Sequence, residues 1–128
     1  MAEPRVARLA DVPNHLMGPG AEFRMTREAL DSPQVGVTYI RLPGGSSVQG
    51  RQGHVHDVQD EVYLVISGGP VEMKLDDEVV ALHAGEVLLV PPQVVRSLRN
   101  PGVDAVVVAA SGALPPGGDD SHPVDDVW

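Results

Sequence analysis

Short valine-rich runs separated by turn signals dominate the chain between residues 21 and 112. The turn signals are Pro43-Gly44-Gly45, Gly68-Gly69-Pro70, Asp76-Asp77, Ala84-Gly85, Pro91-Pro92 and Asn100-Pro101-Gly102. Short strands joined by such turns are typical of β-sandwiches and β-barrels. The composition agrees, because 14 Gly and 12 Pro in 128 residues would break a helix bundle, while 22 Val suit a pleated sheet. The chain is therefore predicted to be all-β.

A single domain at residues 1–112, beginning with a lead-in at 1–20, is the predicted organisation. The predicted strands are Phe23–Thr26, Val35–Leu42, Ser46–His56, Glu61–Ser67, Val71–Leu75, Glu78–Leu82, Val87–Val90, Val94–Leu98 and Val103–Ala110. Residues 113–128 are acidic and rich in Pro and Gly, without an apolar pattern to fold on, so they are predicted to form a flexible tail. The terminal Trp128 is predicted to fray, with docking on a partner surface as the alternative.

The charge balance limits the partners of the chain. Nine basic and 18 acidic residues give a net charge of −9, which disfavours binding to nucleic acid and to anionic membranes. The absence of cysteine excludes disulfides and thiolate metal sites. No run approaches the roughly 20 apolar residues of a membrane span, and the first residues do not resemble a secretory signal. A cytoplasmic protein without nucleic-acid or membrane partners is the expectation.

The run from Glu61 to Ser67 shows which side of its strand faces inward, since alternate side chains of a strand point to opposite faces. One face carries Glu61, Tyr63, Val65 and Ser67, and the other is apolar, formed by Val62, Leu64 and Ile66. If the first face lines a barrel interior, the second also needs a cover, from the lead-in or from another copy of the chain. A homodimer is therefore predicted.

Two histidines and a glutamate form the most informative cluster. One residue separates His54 from His56, which places both imidazoles on the same face of a strand. Residues 57–60 have turn composition, so a bend there would bring Glu61 back towards the histidines. Two neutral imidazoles and a carboxylate suit a divalent transition metal and leave positions for water or substrate. The alternative is a solvated acidic turn beside surface histidines.

The middle of the chain resembles the cupin superfamily in two motifs. The first family motif is a Gly, His-x-His, three or four residues, a Glu, six residues and a Gly. It is matched here by His54, His56, Glu61 and Gly68, while Val48 stands at the position of the leading glycine. This motif carries three of the residues that ligate the metal in metal-binding cupins.

The second motif is matched in its frame but not in all its members. In the family it is a Gly, five residues, Pro-x-Gly, two residues, a His, three residues and an Asn. Gly85, Pro91 and Asn100 are in place, but Gln93 replaces the second Gly and Arg96 replaces the His, which is the fourth metal ligand of the family. A guanidinium has no lone pair for a metal, so four-ligand binding is lost here.

The resemblance covers about residues 35–112. It implies a small antiparallel β-barrel, the double-stranded β-helix or jelly roll, which in this superfamily is often dimeric and holds a metal inside the barrel. The superfamily includes dioxygenases, isomerases, epimerases, decarboxylases and non-catalytic binding or storage proteins. The resemblance therefore implies the fold far better than the reaction.

Three arrangements of the pocket remain open. In the leading one, His54, His56 and Glu61 hold Fe, Mn, Ni or Zn and Arg96 binds an anionic small molecule, as in a metal-dependent oxygenase or isomerase. In the second, no metal is bound, Arg96 pairs with Glu61, and the histidines either pack or act as acid and base in an isomerase or cyclase. In the third, the barrel is a metal-free binding or structural module.

The roles of single residues follow from these arrangements. Tyr63 shares the inward face with Glu61, so it either contacts a ligand or fills space. His54, His56 and Tyr63 are the candidate catalytic residues, and Arg96 and Tyr63 are the candidate substrate-binding residues. A divalent ion beside Arg96 would need an anion to balance the charge, whereas without metal Glu61 and Arg96 neutralise each other.

Overall fold

The computed structural model describes residues 3–16, 18–48 and 50–128. Residues 1, 2 and 17 of the predicted lead-in, and Gln49 of the predicted run Ser46–His56, lie outside the described residues. The strands are β1 (Glu22–Met25), β2 (Gly36–Leu42), β3 (Ser46–Ser47), β4 (Gly53–His56), β5 (Glu61–Gly69), β6 (Val71–Leu75), β7 (Glu78–Leu82), β8 (Val87–Val90), β9 (Arg96–Asn100), β10 (Val103–Ser111) and β11 (Ser121–Val124). A 3₁₀ turn (Leu9–Asp11) lies in the lead-in, and a short helix, α1 (Arg27–Leu30), follows β1.

Two antiparallel sheets make up the barrel. The first has the strand order β1-β2-β10-β5-β8, and the second has the order β11-β4-β9-β6-β7, with β3 pairing with β9. Neighbours such as β2 and β10 are far apart in sequence, as in jelly-roll folds, where the chain crosses repeatedly between two sheets. The prediction of an all-β antiparallel barrel is confirmed.

The core between the sheets is mostly aliphatic. On β5, Tyr63 and Val65 are buried while Ile66 is 52% exposed, so the predicted inward and outward faces are confirmed as far as Ile66. Ser67, predicted on the inward face, is exposed. The buried cluster consists of Ile40, Leu42, Tyr63, Val65, Val71, Met73, Leu82, Val90, Leu98, Ala105, Val107 and Ala109. One face of each central strand thus builds the core and the wall of the internal pocket.

The predicted strand Val94–Leu98 is shifted by two residues, because β9 spans Arg96–Asn100. Two other predicted elements differ more from the structure. The run Ser46–His56 is divided into β3 and β4, because the chain turns at Gly50, which has a φ of +62° that glycine adopts without strain. The prediction of a flexible tail is wrong for its last residues. Ser121–Val124 form β11 on the edge of β4, and Trp128 Nε1 donates to Ser97 Oγ at 2.7 Å. An exposed strand edge offers unpaired backbone groups, and this segment satisfies them.

The lead-in packs along β1. Val12 is buried, and the side-chain oxygen of Asn14 accepts hydrogen bonds from the backbone N–H groups of Leu16 and Phe23. Arg24 donates to the carbonyl oxygen of Val12 at 2.5 Å. These contacts hold the lead-in close to the pocket. Across the ranges that the structure describes, we find no helix with the length and apolar character that a membrane crossing requires.

Candidate functional site

The two histidines of the His-x-His pair lie side by side on β4. Their ring centroids are 5.1 Å apart, and the ring planes are close to perpendicular at 83°. The His54 side chain is 25% exposed, whereas that of His56 is 8% exposed. As the spacing predicts, both rings lie on the face of β4 that lines the pocket.

Glu61 begins β5 in the opposite sheet and directs its carboxylate at both imidazoles. Its Oε1 lies 3.2 Å from His54 Nε2, and its Oε2 lies 3.7 Å from His56 Nε2. The Tyr63 hydroxyl, on the same face of β5, donates to Oε1 as well. The structure thus brings together the three residues of the first motif and the tyrosine two positions further along.

Arg96 lies at the floor of the pocket, and none of it is exposed to solvent. Its Nη1 donates to Glu61 Oε1 at 3.3 Å, its Nε to the carbonyl oxygen of Val94 at 3.1 Å, and its Nη2 to that of Pro91 at 2.9 Å. Each nitrogen of the guanidinium is therefore bound by the protein. This is the pairing with Glu61 that the metal-free arrangement predicts.

Asp120 is a member of the site that the sequence reasoning missed. Its Oδ1 lies 2.8 Å from His56 Nδ1, and its Oδ2 accepts hydrogen bonds from the backbone N–H groups of Val58 at 2.8 Å and Gln59 at 3.0 Å. Asp120 precedes β11, in the segment predicted to be flexible. No spacing rule links it to a histidine 64 residues earlier.

The ionisation of Glu61 and Tyr63 follows from their contacts. Burial acts to raise the pKa of Glu61, but the interactions with His54, His56 and Tyr63 outweigh it and hold that pKa far below its usual range. Burial, followed by the charge of Glu61, raises the pKa of Tyr63 well above its usual value. Glu61 is therefore a carboxylate, and Tyr63 is a protonated donor to it.

Two carboxylates act on His56 from opposite sides. The interaction with Glu61 raises the pKa of His56 against the opposing effect of burial, and the bond to Asp120 raises it further. Burial acts to raise the pKa of Asp120, but the bonds from His56 and from the N–H groups of Val58 and Gln59 lower it to about 2. The imidazole of His56 is thus held between two ionised groups.

A pocket of about 1030 Å³ lies over these groups. Its apolar walls include Phe23, Ile40 and Ala109 from the first sheet and Leu98 from the second. Part of the lead-in, from Asp11 to His15, and part of α1 also line it. This volume is just above the roughly 300–1,000 Å³ typical of small-molecule sites, and His54, His56 and Glu61 are among its lining residues.

The fit of a metal ion depends on the charge of this cluster. His54, His56 and Glu61 offer ligand atoms that all lie within 4.8 Å of one another, and their chemistry suits Fe, Mn, Ni or Zn. However, Glu61 Oε1 already accepts from Tyr63, and the Arg96 guanidinium beside it repels a cation. The types of residue match a metal site. The site does not fit a metal ion electrostatically, because the positive charge of Arg96 already neutralises Glu61.

A second group with metal-ligand chemistry contains His56, Asp119 and Asp120. Both oxygens of Asp120 are occupied by the bonds described above. Asp119 accepts hydrogen bonds from the backbone N–H and the hydroxyl of Ser121 at 3.0 and 2.8 Å. These carboxylates therefore organise the turn before β11, and nothing at this group points to an ion.

Comparison with known proteins identifies the family. Residues 38–111, more than half of the chain, match the sequence family described as the cupin domain. This chain belongs to the cupin family. The match ends before the segment that supplies Asp120, so this contribution to the pocket lies outside the part of the cupin domain that the family match covers.

Solved structures share the fold of this cupin. They include a cupin protein from Bacteroides fragilis (20% identity, TM-score 0.64, 83% of this chain and 87% of that one). Pac13 from Streptomyces, described as a unique nucleoside dehydratase, matches at 16% identity with a TM-score of 0.73 over 98% of this chain and 95% of its own. A predicted oxalate decarboxylase from Thermotoga maritima matches at 22% identity with a TM-score of 0.66, over 86% and 100%. At these identities the likeness shows the fold alone. A comparison with curated proteins found no match.

Proposed function

We propose that this cupin is an enzyme that acts on a small molecule with His54 and His56 as acid and base, without a resident metal. The observation that carries the proposal is the state of Glu61, whose Oε1 accepts from Tyr63 and pairs with the buried Arg96. A carboxylate held in this way orients the two imidazoles instead of neutralising a metal. Neighbouring imidazoles that line a pocket suit reactions that move protons, such as isomerisation or the elimination of water.

The two imidazoles have different surroundings, and this difference assigns their roles. His56 is bonded through Nδ1 to Asp120, which leaves Nε2 to take a proton from a substrate. His54 is the more exposed of the two, and its Nε2 lies 3.2 Å from Glu61 Oε1, so it is the imidazole placed to return a proton to a leaving group. Tyr63 and Arg96 both donate to Glu61 Oε1 and hold the carboxylate in place.

The lining of the pocket favours a neutral substrate. Its guanidinium groups belong to Arg27 and Arg96, and both donate to backbone carbonyl oxygens. The lining also contains the carboxylates of Asp11, Glu28 and Asp119. An anion would meet these carboxylates without gaining an uncommitted guanidinium, so a hydroxylated neutral compound suits the pocket better.

Pac13, which shares the fold, offers a first reaction and substrate to assay. The likeness extends over nearly the whole chain, and variants of Pac13 have been solved with uridine, a neutral hydroxylated compound. We therefore name elimination of water from a neutral sugar-containing compound as the first reaction to assay.

Metal analysis tests the central claim. Protein purified without chelator is incubated with Fe, Mn, Ni or Zn and dialysed. Wild type is expected to retain no stoichiometric metal, whereas Arg96→His, which restores the fourth ligand of the family, is expected to retain it. Stoichiometric metal in wild type that is lost in His54→Ala would refute the proposal.

A binding comparison tests the proposal that the substrate is neutral. Uridine and uridine 5′-monophosphate are titrated against the protein while the imidazole NMR signals of His54 and His56 are followed. The neutral compound is expected to bind at least about tenfold more tightly, a difference of about 1.4 kcal/mol. Equal or tighter binding of the monophosphate would contradict the neutral-substrate proposal.

A metal-dependent enzyme is the second candidate, because the three ligand atoms of the first motif lie within 4.8 Å of one another. In that case the divalent ion would be held by His54, His56 and Glu61 and would supply Lewis acidity. Such a site would favour an anionic substrate, which is the substrate that the sequence predicts for the metal-bound arrangement. Arg96 would then leave Glu61 and bind the anion. The metal analysis above separates the two candidates.

We also propose that the protein is a homodimer in the cytoplasm. The outward face of the first sheet is apolar, and Ile66, Val87 and Leu89 on it are 52%, 63% and 56% exposed. Val62 and Leu64 pair with Leu89 and Val87 and continue the same surface. A second copy of this chain can cover such a face through a two-fold axis, because the surface is then its own complement.

A further inference from the structure

We propose that Asp120 is a positioning residue that holds His56 in the Nδ1–H tautomer and so presents the lone pair of Nε2 to the pocket. The inference deepens the proposed function, because it explains why His56 is the base. It concerns a residue beyond the part of the chain that matches the family, residues 38–111.

The partners of Asp120 determine what His56 must donate. Oδ2 accepts from two backbone N–H groups, those of Val58 and Gln59, at 2.8 and 3.0 Å. Oδ1 lies 2.8 Å from His56 Nδ1, and only 6% of Asp120 is exposed. An aspartate is ionised at neutral pH and can only accept hydrogen bonds. The proton shared with Oδ1 must therefore belong to Nδ1 of the imidazole.

With a proton on Nδ1, the neutral imidazole carries its lone pair on Nε2. The nearest acidic oxygen to Nε2 is Glu61 Oε2, at 3.7 Å, which is longer than a hydrogen bond. The Nε2 atom of His56 therefore remains available to a ligand in the pocket. Without Asp120, no acceptor would hold the proton on Nδ1, and the tautomer with its proton on Nε2 would present an N–H group to the pocket instead of a base.

The fold delivers Asp120 to this place through main-chain bonds. β11 pairs with β4 so that Ser121 lies opposite His56, and the backbone N–H of Asp57 donates to the carbonyl oxygen of Asp120 at 3.2 Å. The far end of the segment is held by Val127 N–H, which donates to the Arg51 carbonyl oxygen at 2.8 Å. These main-chain bonds on both sides hold the Asp120 carboxylate beside His56.

Asp120→Asn tests the inference, because the asparagine amide has almost the same shape as the aspartate carboxylate but replaces one accepting oxygen with a donating NH₂ group. Its oxygen is required by the N–H groups of Val58 and Gln59, so its NH₂ group must face His56 Nδ1. An NH₂ group donates, so Nδ1 must now accept, and the proton of the neutral imidazole moves to Nε2. The variant is therefore expected to reverse the tautomer with little change in the fold.

The measurement is the ¹⁵N spectrum of the His56 ring at alkaline pH, where the imidazole is neutral. In wild type the proton is expected on Nδ1, and in Asp120→Asn on Nε2. Asp119→Asn is the matched control, since it removes one charge from the same turn, and there His56 is expected to keep the wild-type tautomer. The His54 ring in each sample is an internal reference.

Three results would overturn the inference: an Nε2–H tautomer in wild type, an unchanged tautomer in Asp120→Asn, or the same reversal in Asp119→Asn. The first is read on unmodified protein and does not depend on how a variant folds. The spectra need neither substrate nor metal. If the tautomer is as expected but wild type binds stoichiometric metal, the proposed function is wrong and the role of Asp120 stands. If the tautomer is wrong in a metal-free protein, the role of Asp120 and the assignment of His56 as the base are wrong, while the proposal of an enzyme without a resident metal stands.

Discussion

Arg96 and Glu61 form the interaction that most separates this chain from metal-binding cupins. We expect Arg96→Met to lower the free energy of unfolding by about 3–5 kcal/mol, because it leaves the buried Glu61 carboxylate without its guanidinium. Urea unfolding measures this, and Trp128, the one tryptophan of the sequence, supplies the fluorescence signal. The double variant Arg96→Met with Glu61→Gln is expected to recover part of the loss. If the two changes are additive, the residues do not interact and the pairing is wrong.

Asp120 is expected to make stability depend on pH in the acid range. Its pKa is lowered from 3.8 to about 2 in the folded state, so its contribution is complete above pH 3.8 and is lost as pH falls through about 2. Asp120→Asn should therefore be less stable than wild type at neutral pH, by about 1–3 kcal/mol, and the difference should shrink between these two values. Urea unfolding at a series of pH values measures it. A difference that stays constant down to the lower value would contradict the lowered pKa.

At the scale of elements, most strands are readable from alternation and turns, but β11 is not. Its sequence, Ser121-His122-Pro123-Val124, contains one apolar side chain and a proline, and it lies among aspartates. Proline is tolerated because β11 is an edge strand, where one side of the ladder needs no partner. The strand forms because the open edge of β4 is beside it, which is information that local periodicity does not contain.

Trp128 is the anchor of the C-terminal segment. Its ring lies 3.7 Å from the guanidinium carbon of Arg99, and its Nε1 donates to Ser97 Oγ. We expect Trp128→Ala to lower the free energy of unfolding by about 1–2 kcal/mol, the sum of one cation–π contact and one hydrogen bond. Circular dichroism during urea unfolding measures this without the indole, and Trp128→Phe, which keeps a ring but no donor, should lose less. If Trp128→Ala leaves the free energy of unfolding unchanged, Trp128 does not anchor the segment, and the prediction of a frayed end is right.

At the scale of the whole molecule, the outward apolar face of the first sheet predicts the oligomeric state. Val87→Lys places a charge on that face and is expected to shift the mass measured by light scattering from a dimer to a monomer. Val79→Lys is the matched control, because Val79 is 48% exposed on β7 of the other sheet, and it should leave the dimer intact. A monomeric wild type at dilute concentration, or equal dissociation by both variants, would contradict the proposed interface.

The sequence by itself determined the all-β class, most of the strand positions, the inward face of Glu61 and Tyr63, and the grouping of His54 with His56. Each of these depends on spacing along one or two strands, where a period of two residues is enough. Only the tertiary structure decided that Arg96 is paired with Glu61, and that Asp120 reaches His56 from a segment with no strand pattern. Both contacts join residues that are distant in the chain, and whether they form depends on how the sheets close around the pocket, which no local pattern encodes.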